Sequence, residues 1–258
     1  MTSMSDMTTS SGRATLHRLG GADGLPDMLL IHGFGSDRYS WSATGPAFFD
    51  RYAVWAIELP GHTAEPVDAG AGEVTSMAGA VADAVAGKLR GPFPVVGHSL
   101  GGAVAIELAN MFPELVSSLV LIAPAGMGPR TNDKFLTEFP KLTGQDEAQR
   151  LLEMLVSRPK LIGPQMVQHV LGFLERPGRR DALQRVAHGL SRLSPLQIPS
   201  DKKIAIVWGE NDVINPVSAA AIRALASHVA ILEGVGHLPH VEQARKTNAV
   251  ISEAISTP

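Results

Sequence analysis

The feature that most constrains this chain is a serine between two glycines, where an apolar segment meets a helical pattern. Residues 97–101 read Gly-His-Ser-Leu-Gly, an apolar run over residues 94–96 precedes them, and a helical pattern follows until a proline stops it. A strand that turns directly into a helix holds Ser99 in a strained conformation and lifts its hydroxyl clear of the sheet. Side chains at Gly97 and Gly101 would collide with the neighbouring strand and helix. The pattern predicts a serine nucleophile on a sharp strand-to-helix turn.

The segments around this turn alternate between strand and helix patterns. Because the chain has 26 glycines, the pentapeptide alone also arises by chance, and its interpretation depends on this context. Apolar runs predict further strands at residues 14–19, 28–31, 52–59, 118–122, 203–208 and 228–232. Helical spacing predicts helices at residues 41–48, 74–89, 217–226 and from 241. This alternation favours an α/β fold with a mostly parallel, doubly wound sheet.

One long segment interrupts the alternation. Residues 126–200 show no convincing strand but four helical patterns, at 132–139, 145–156, 164–174 and 180–193. We therefore expect a helical cap over residues 126–200, inserted into a core made of residues 14–125 and 201–258. Residues 1–13, rich in Ser, Thr and Met, are expected to form a disordered tail.

Composition narrows the class of protein further. A net charge of −3 and a pI near 6.3 give no electrostatic case for a nucleic-acid partner. The chain has no Cys, which excludes a disulfide, a thiol nucleophile and a thiolate metal site. No signal peptide or membrane-length apolar run is present, so we expect a cytoplasmic protein without a membrane span. The sequence does not define the oligomeric state.

Two loops supply partners for the serine. In doubly wound sheets, catalytic groups lie in the loops at the carboxyl ends of the strands. Asp212 follows the predicted strand at 203–208, and His237 follows the last strand on a glycine-rich loop. The chain order Ser99, Asp212, His237 is the one used by serine nucleophiles on such turns. We therefore predict that Ser99 attacks, His237 shuttles protons and Asp212 orients His237.

Other residues remain as alternatives for these roles. Glu210 lies nearer the end of its strand than Asp212 and is an alternative acid, and His240 is an alternative base. His98 flanks the serine, but its place in the turn is expected to direct it away into packing. His32 and His62 lie in loops and are expected to bond to the backbone.

A serine nucleophile also needs donors for the negative charge that develops on the attacked carbonyl oxygen. The Leu100 N–H, directly after the nucleophile, is one predicted oxyanion-hole donor. The Phe34 N–H is the other, because Gly33 and Gly35 let the backbone approach a substrate there. No metal-ligand spacing, phosphate loop or dinucleotide fingerprint appears, so we expect no metal and no cofactor.

With these residues in place, the sequence resembles the α/β-hydrolase superfamily over nearly its whole length. The segments that carry the resemblance are His-Gly-Phe-Gly at 32–35, Leu-Pro-Gly-His at 59–62, Gly-His-Ser-Leu-Gly-Gly at 97–102, Trp-Gly-Glu-Asn-Asp at 208–212 and Gly-His-Leu-Pro at 236–239. This combination is specific for the fold and for a Ser-His-Asp triad, but not for a substrate.

A closer resemblance lies near the insert. Residues 121–129, Leu-Ile-Ala-Pro-Ala-Gly-Met-Gly-Pro, and 165–167, Gln-Met-Val, look like the hydrolase-fold domain attached to dihydrolipoamide acetyltransferases of acetoin dehydrogenase complexes. That resemblance implies acyl transfer. Because the sequence before residue 14 is too short for a lipoyl domain, we expect a detached domain.

The stretch at 123–129 is also similar to carbon–carbon bond hydrolases of aromatic degradation. This chain has Gly-Ser-Asp-Arg at 35–38 where that family has Gly-Pro-Gly-Ala, and Leu238 where the family has Trp. The cap Arg with which the family holds a dienoate matches a position near Val170.

The sequence therefore predicts a serine hydrolase that cleaves a small or medium carboxylic ester, lactone or thioester through an acyl-enzyme. The partner is a small-molecule acyl substrate. Three alternatives remain at this stage: an acyltransferase of the dihydrolipoamide acetyltransferase type, a carbon–carbon bond hydrolase, and a receptor that binds a small ligand and turns over slowly.

Overall fold

The structure, a computed structural model, describes residues 12–64, 67–128, 130–226 and 228–255. The predicted disordered tail at 1–13 therefore lies almost wholly outside the described residues. Within them, one seven-stranded sheet runs in the order β1-β3-β2-β4-β5-β6-β7. The strands are β1 (Thr15–Gly20), β2 (Asp27–Ile31), β3 (Ala53–Glu58), β4 (Phe93–His98), β5 (Val116–Ile122), β6 (Lys203–Gly209) and β7 (His228–Leu232).

The pairing of the strands confirms the predicted mostly parallel sheet. Strand β1 pairs antiparallel with β3, and every other neighbouring pair runs parallel. Strands β2 and β4 are buried along their whole length. Parallel strands covered on both faces read as continuous apolar runs, which explains why the sequence shows no polar alternation there.

Helices cover both faces of the sheet. They are α1 (Val74–Val85), α2 (Leu100–Met111), α3 (Asp133–Glu138), α4 (Gln145–Glu153), α5 (Pro164–Leu174), α6 (Arg179–Ser191), α7 (Ala219–Arg223), α8 (Pro239–Glu242) and α9 (Ala244–Ile255). Helices α1 and α2 pack in one apolar cluster with Leu29 and Ile31, whereas α9 packs with Met28 and Leu30 on the other face. Successive strand residues point to opposite faces, so β2 contributes to both clusters.

The predicted helix at residues 41–48 is wrong. Two short 3-10 helices, Arg38–Trp41 and Gly45–Phe48, occupy this region instead. Pro46 lacks an amide proton and is tolerated only in the first turn of a helix, so a continuous helix cannot pass through it. The predicted last helix from residue 241 also differs, because it divides into α8 and α9 at Gln243.

The segment 126–200, called the insert below, contains α3 to α6 and no strand among its described residues. Its buried apolar residues, among them Phe135, Leu151 and Val186, belong to the same cluster as the sheet residues that face α1 and α2. The insert leaves the sheet after β5, beside the strand that ends at Ser99. That the insert is a separate cap domain remains a prediction.

Because the backbone is closely packed at the β4–α2 turn, we expect a methyl group added at Gly101 to lower the stability of the fold. A Cβ on Gly101 would overlap the Ile31 and His32 carbonyls, whereas a Cβ on Gly79, in the middle of α1, would have no atom within 4 Å. We expect Gly101→Ala to lower the free energy of unfolding by about 1–3 kcal/mol or more, because backbone atoms must shift.

Gly79→Ala is the matched control, and it is expected to stabilise the fold by roughly 0.5–1 kcal/mol through helix propensity. Urea unfolding of both variants checks the pair. Equal stability of the two variants would contradict the close approach at Gly101.

Candidate active site

Ser99 is held in the strained conformation that the sequence predicts. Its φ of 52° and ψ of −116° lie where residues other than glycine are rarely found. Its N–H donates to the Ile122 carbonyl at 2.9 Å, and its own carbonyl accepts from Gly102 at 2.9 Å and Ala125 at 3.0 Å. A Cβ on Gly97 would overlap the backbone of Gly101. Hydrogen bonds from neighbouring segments thus hold a backbone that local preference disfavours.

His237 and Asp212 meet at the ends of neighbouring strands. The His237 Nδ1 lies 2.8 Å from the Asp212 Oδ2, and both side chains are almost completely buried. The Asp212 carboxylate also accepts hydrogen bonds from Trp208 Nε1 at 3.1 Å and from the Ile214 and Asn215 amides at 2.8 and 2.9 Å. This arrangement directs the Nδ1 proton of His237 toward Asp212 and leaves Nε2 on the far side of the ring.

The environment keeps Asp212 ionised. Burial alone would raise its pKa, but the charge of His237 and the hydrogen bonds from His237, Asn215 and Ile214 outweigh burial and lower the pKa below its ordinary value of 3.8. An ionised carboxylate on Nδ1 is the arrangement that orients a histidine as a base.

Glu210, the alternative acid, points elsewhere. It is exposed, and its Oε2 accepts from the Gly234 amide at 3.4 Å. Among the described residues, Asp212 is the carboxylate bonded to His237.

His240, the alternative base, is buried in α8 and is not bonded to Asp212. Its ring lies 4.6 Å from that of His98 and 5.0 Å from that of Trp41, and its ring nitrogens have no hydrogen-bond partner among the described residues. Burial, followed by the charge of His237, lowers its pKa to about 3. His240 is thus neutral at physiological pH and lacks the carboxylate that would orient it.

His98 contacts both the backbone and the ring of His237. Its Nε2 donates to the His237 carbonyl at 2.9 Å, and the two rings are 4.8 Å apart. Burial first, then the nearby His240 and His237, lower the pKa of His98 well below 6.5. The ring of His98 thus packs against the rings of His237 and His240, holds the segment that carries His237 through this hydrogen bond, and also lines the cavity.

Residues 32–37, the β2 loop, lie against the serine. A Cβ on Gly33 would come within 3.3 Å of the Ser99 Cβ, so the loop backbone approaches the nucleophile closely. The His32 Nδ1 donates to the Gly33 carbonyl at 2.8 Å, while its Nε2 accepts from the Leu59 amide at 3.2 Å. The Gly33 carbonyl and the Phe34 N–H belong to one peptide unit, so this bond fixes the direction of that N–H.

Several supporting residues were not identified from the sequence. Asn215 donates from Nδ2 to the carbonyl of Ala123, whose φ of 43° is also positive. Glu242 accepts from the Gly236 amide at 2.6 Å and from the Ser157 amide at 3.0 Å. It therefore ties the segment before His237 to the insert. Nothing in the sequence around Glu242, which lies in the predicted final helix, indicates that it accepts these two hydrogen bonds.

A cavity of about 700 Å³ contains Ser99 and His237 in its wall. Its apolar lining comes largely from the insert and includes Phe34, Phe135, Leu136, Leu152, Leu155, Met166, Val170, Leu190, Ile214, Leu238 and Val241. Polar residues also line it: Ser36, Asp37, Tyr39, Ser40, Ser42, His98, Thr131, Gln165, His169 and His240. No Lys or Arg belongs to the described lining.

Two further observations concern the described residues as a whole. They contain no group of three or more His, Asp or Glu arranged to hold a metal ion. None of their helices combines the length and the apolar character needed to cross a bilayer.

Comparison with known proteins agrees with the fold. The sequence matches the alpha/beta hydrolase family over residues 28–250, so the chain belongs to that family and is a hydrolase. The dihydrolipoyllysine-residue acetyltransferase component of the acetoin cleaving system of Cupriavidus necator is 32% identical, over 93% of this chain and 66% of that protein. The chain thus spans just under two thirds of that relative. The predicted resemblances to the α/β-hydrolase superfamily and to the acetoin-system acetyltransferase are confirmed.

Two other similar proteins are hydrolases. A pimeloyl-acyl-carrier-protein methyl ester esterase of Neisseria meningitidis is 27% identical, over 90% of this chain and 78% of that protein. The solved structure of a 2-hydroxy-6-oxo-6-phenylhexa-2,4-dienoate hydrolase from Rhodococcus superposes with a TM-score of 0.79 at 20% identity, covering 96% of this chain and 97% of that one. At that identity the structural likeness shows the fold alone.

The lowered pKa of Asp212 predicts how stability depends on pH. A carboxyl whose pKa is lower in the folded state stabilises the fold above its ordinary pKa, and this contribution is lost as the pH falls through the folded pKa. We expect the difference in unfolding free energy between wild type and Asp212→Asn to be largest near neutral pH and to shrink below about pH 4.

Urea unfolding at several pH values measures this difference. Asp83→Asn, at an exposed position on α1, is the control and is expected to give a small difference at every pH. A difference for Asp212→Asn that grows as the pH falls would contradict the lowered pKa.

Proposed function

We propose that this protein is a serine hydrolase of carboxylic esters and related thioesters or lactones, with Ser99 as nucleophile, His237 as base and Asp212 as its orienting acid. The single observation that carries the proposal is the buried bond between His237 and Asp212 in the wall of the cavity that also contains Ser99. In such a triad the carboxylate holds the imidazole in the tautomer that accepts the serine proton.

The chemistry follows from these positions. The Nε2 of His237 takes the Ser99 proton as Oγ attacks the carbonyl carbon, and the resulting oxyanion accepts from the N–H groups of Leu100 and Phe34. The imidazolium then gives the proton to the leaving alkoxide, which leaves an acyl group on Ser99. Water, deprotonated by His237, then attacks this acyl-enzyme, and His237 returns the proton to the Ser99 Oγ as the bond to the acyl group breaks and the acid is released. Leu100 begins α2, where amides have no partner within the helix.

The cavity favours an uncharged acyl group of small to medium size. Its lining is mostly apolar and has no Lys or Arg among the described residues, so a carboxylate on the acyl chain would find no countercharge. Val170 also lies in the wall, near the position matched to the Arg of the carbon–carbon bond hydrolases. The described cavity thus offers no Arg or Lys to pair with a dienoate carboxylate, and we do not favour that reaction.

The direct test is hydrolysis of p-nitrophenyl esters from acetate to decanoate. We expect turnover with one optimal chain length, which measures the acyl side of the cavity. Ser99→Ala and His237→Ala are expected to lower kcat by about 10⁴–10⁶-fold and Asp212→Asn somewhat less, with the fold retained.

Ser42→Ala serves as the matched control, because Ser42 also lines the cavity but lies in the turn between the two 3-10 helices. It is expected to keep kcat within about threefold of wild type, as most substitutions away from the reacting atoms do. Undiminished turnover in Ser99→Ala would overturn the proposed mechanism.

A second candidate function is transfer of the acyl group to a thiol instead of water. The observation that favours it is the 32% identity to an acetyltransferase component of an acetoin cleaving system. The same triad would form the acyl-enzyme, and a thiol would replace water in the second step. Dihydrolipoamide added to the ester assay decides between them: formation of an S-acyl product in preference to the free acid would support transfer.

The third possibility, a ligand receptor with slow turnover, gives a different result in the same assay. A burst equal to one acyl group per protein, without further turnover when water or thiol is supplied, would support it.

A further inference from the structure

His62 holds the β2 loop from the side opposite His32. Its Nε2 accepts a hydrogen bond from the Gly35 amide at 3.0 Å, and its Nδ1 lies 3.1 Å from the Pro60 carbonyl. A nitrogen that accepts cannot also carry the proton, so the Nδ1–H donates to Pro60. The Gly35 N–H shares its peptide unit with the Phe34 carbonyl, so the two histidines fix the peptide units on both sides of Phe34.

His62 can accept this bond because it is neutral. Burial, then the proximity of His32 and Arg179, lower its pKa well below 6.5, whereas the bond to Pro60 raises it by less. Among the described residues, no carboxylate is bonded to either of its ring nitrogens. An acceptor at Nε2 is therefore present throughout the physiological pH range.

The loop that carries His62 is held in turn by a buried cation of the insert. Arg179, at the start of α6, is fully buried, and its Nη1 and Nη2 donate to the carbonyls of Gly61 and Thr63, the second at 2.7 Å. Its guanidinium lies 4.1 Å from the centre of the Phe173 ring, and that ring lies 6.2 Å from the ring of His62. Burial and Arg176 lower the pKa of Arg179 to about 10, so it remains charged at neutral pH.

These contacts form one continuous connection from the insert to the nucleophile. Arg179 fixes the backbone around His62, and His62 fixes Gly35. Gly33, two residues earlier in the β2 loop, lies against Ser99. Gly35 has a φ of 69°, and a Cβ there would overlap the ring of Phe139. The insert therefore also packs directly against the β2 loop.

We propose that His62 is a positioning residue for the β2 loop and that Arg179 holds it, so that the docked insert sets the direction of the Phe34 N–H toward the reacting oxygen. This inference rests on the proposed function, because it assigns the Phe34 N–H to the oxyanion. A misdirected N–H loses more of its stabilisation of the transition state than of its binding to the ground-state substrate. We therefore expect kcat to fall while KM stays nearly unchanged.

The test compares His62→Leu, which removes the acceptor, with His62→Gln, whose Oε1 reaches the same amide. We expect His62→Leu to lower kcat for the preferred p-nitrophenyl ester by about 10–100-fold with KM within about threefold, and His62→Gln to recover most of kcat. Hydrogen exchange of the peptide spanning residues 33–37 is expected to be faster in His62→Leu and near the wild-type rate in His62→Gln.

Arg179→Met and Arg180→Met test the second contact. Arg180 lies on the same helix and donates to the Pro140 carbonyl at 2.8 Å, outside the loop of His62, so it is the matched control. We expect Arg179→Met to lower kcat by about tenfold and to speed exchange at residues 33–37, and Arg180→Met to change kcat less than twofold. Should His62→Leu not fold, this pair decides.

Wild-type kcat within twofold in a folded His62→Leu protein, or equal losses in the leucine and glutamine variants, would overturn the inference. If wild type shows no Ser99-dependent turnover, the proposed function fails instead. In that case the exchange rates still decide whether His62 holds the β2 loop.

Discussion

The fold of this protein depends on close backbone contact at the carboxyl edge of its sheet. Gly101 lies against the carbonyls that end β2, Gly97 lies against Gly101, and a Cβ on Gly102 would come within 2.7 Å of the Pro124 Cβ. Residues with side chains would separate these segments, and the strained backbone of Ser99 would lose the hydrogen bonds that hold it. The position of the serine hydroxyl thus depends on close backbone packing between the β4–α2 turn and the ends of the neighbouring strands.

A second constraint is the number of buried polar groups at this edge. His32, His62, His98 and His240 are all buried with lowered pKa values, and burial is the main cause for each. Neutral imidazoles can brace backbone groups without placing further positive charge near His237. Asp212, unlike these histidines, is buried in its charged form, because four hydrogen bonds compensate the burial of its charge. The proposed proton path through His237 thus lies among groups that do not titrate near neutral pH.

Much of the fold could be predicted because its signals are local. Continuous apolar runs marked the buried strands, and helical spacing marked the insert. The contact of Asp212 with His237 followed from chain order at the carboxyl edge. The helix predicted at 41–48 was wrong because Pro46 prevents a continuous helix from passing through this region. Asn215 and Glu242 could not be found from the sequence, since Ala123, which accepts from Asn215, follows β5, and Ser157, which donates to Glu242, lies in the insert.

The central claim is that Ser99 is a nucleophile activated by His237. Reaction with a fluorophosphonate tests it most directly, because phosphonylation needs the activated serine and no knowledge of the substrate. The account predicts one adduct per chain, mapped to Ser99 by peptide mass, absent in Ser99→Ala and formed far more slowly in His237→Ala. An adduct that persists in Ser99→Ala, or a rate that His237→Ala leaves unchanged, would contradict the account.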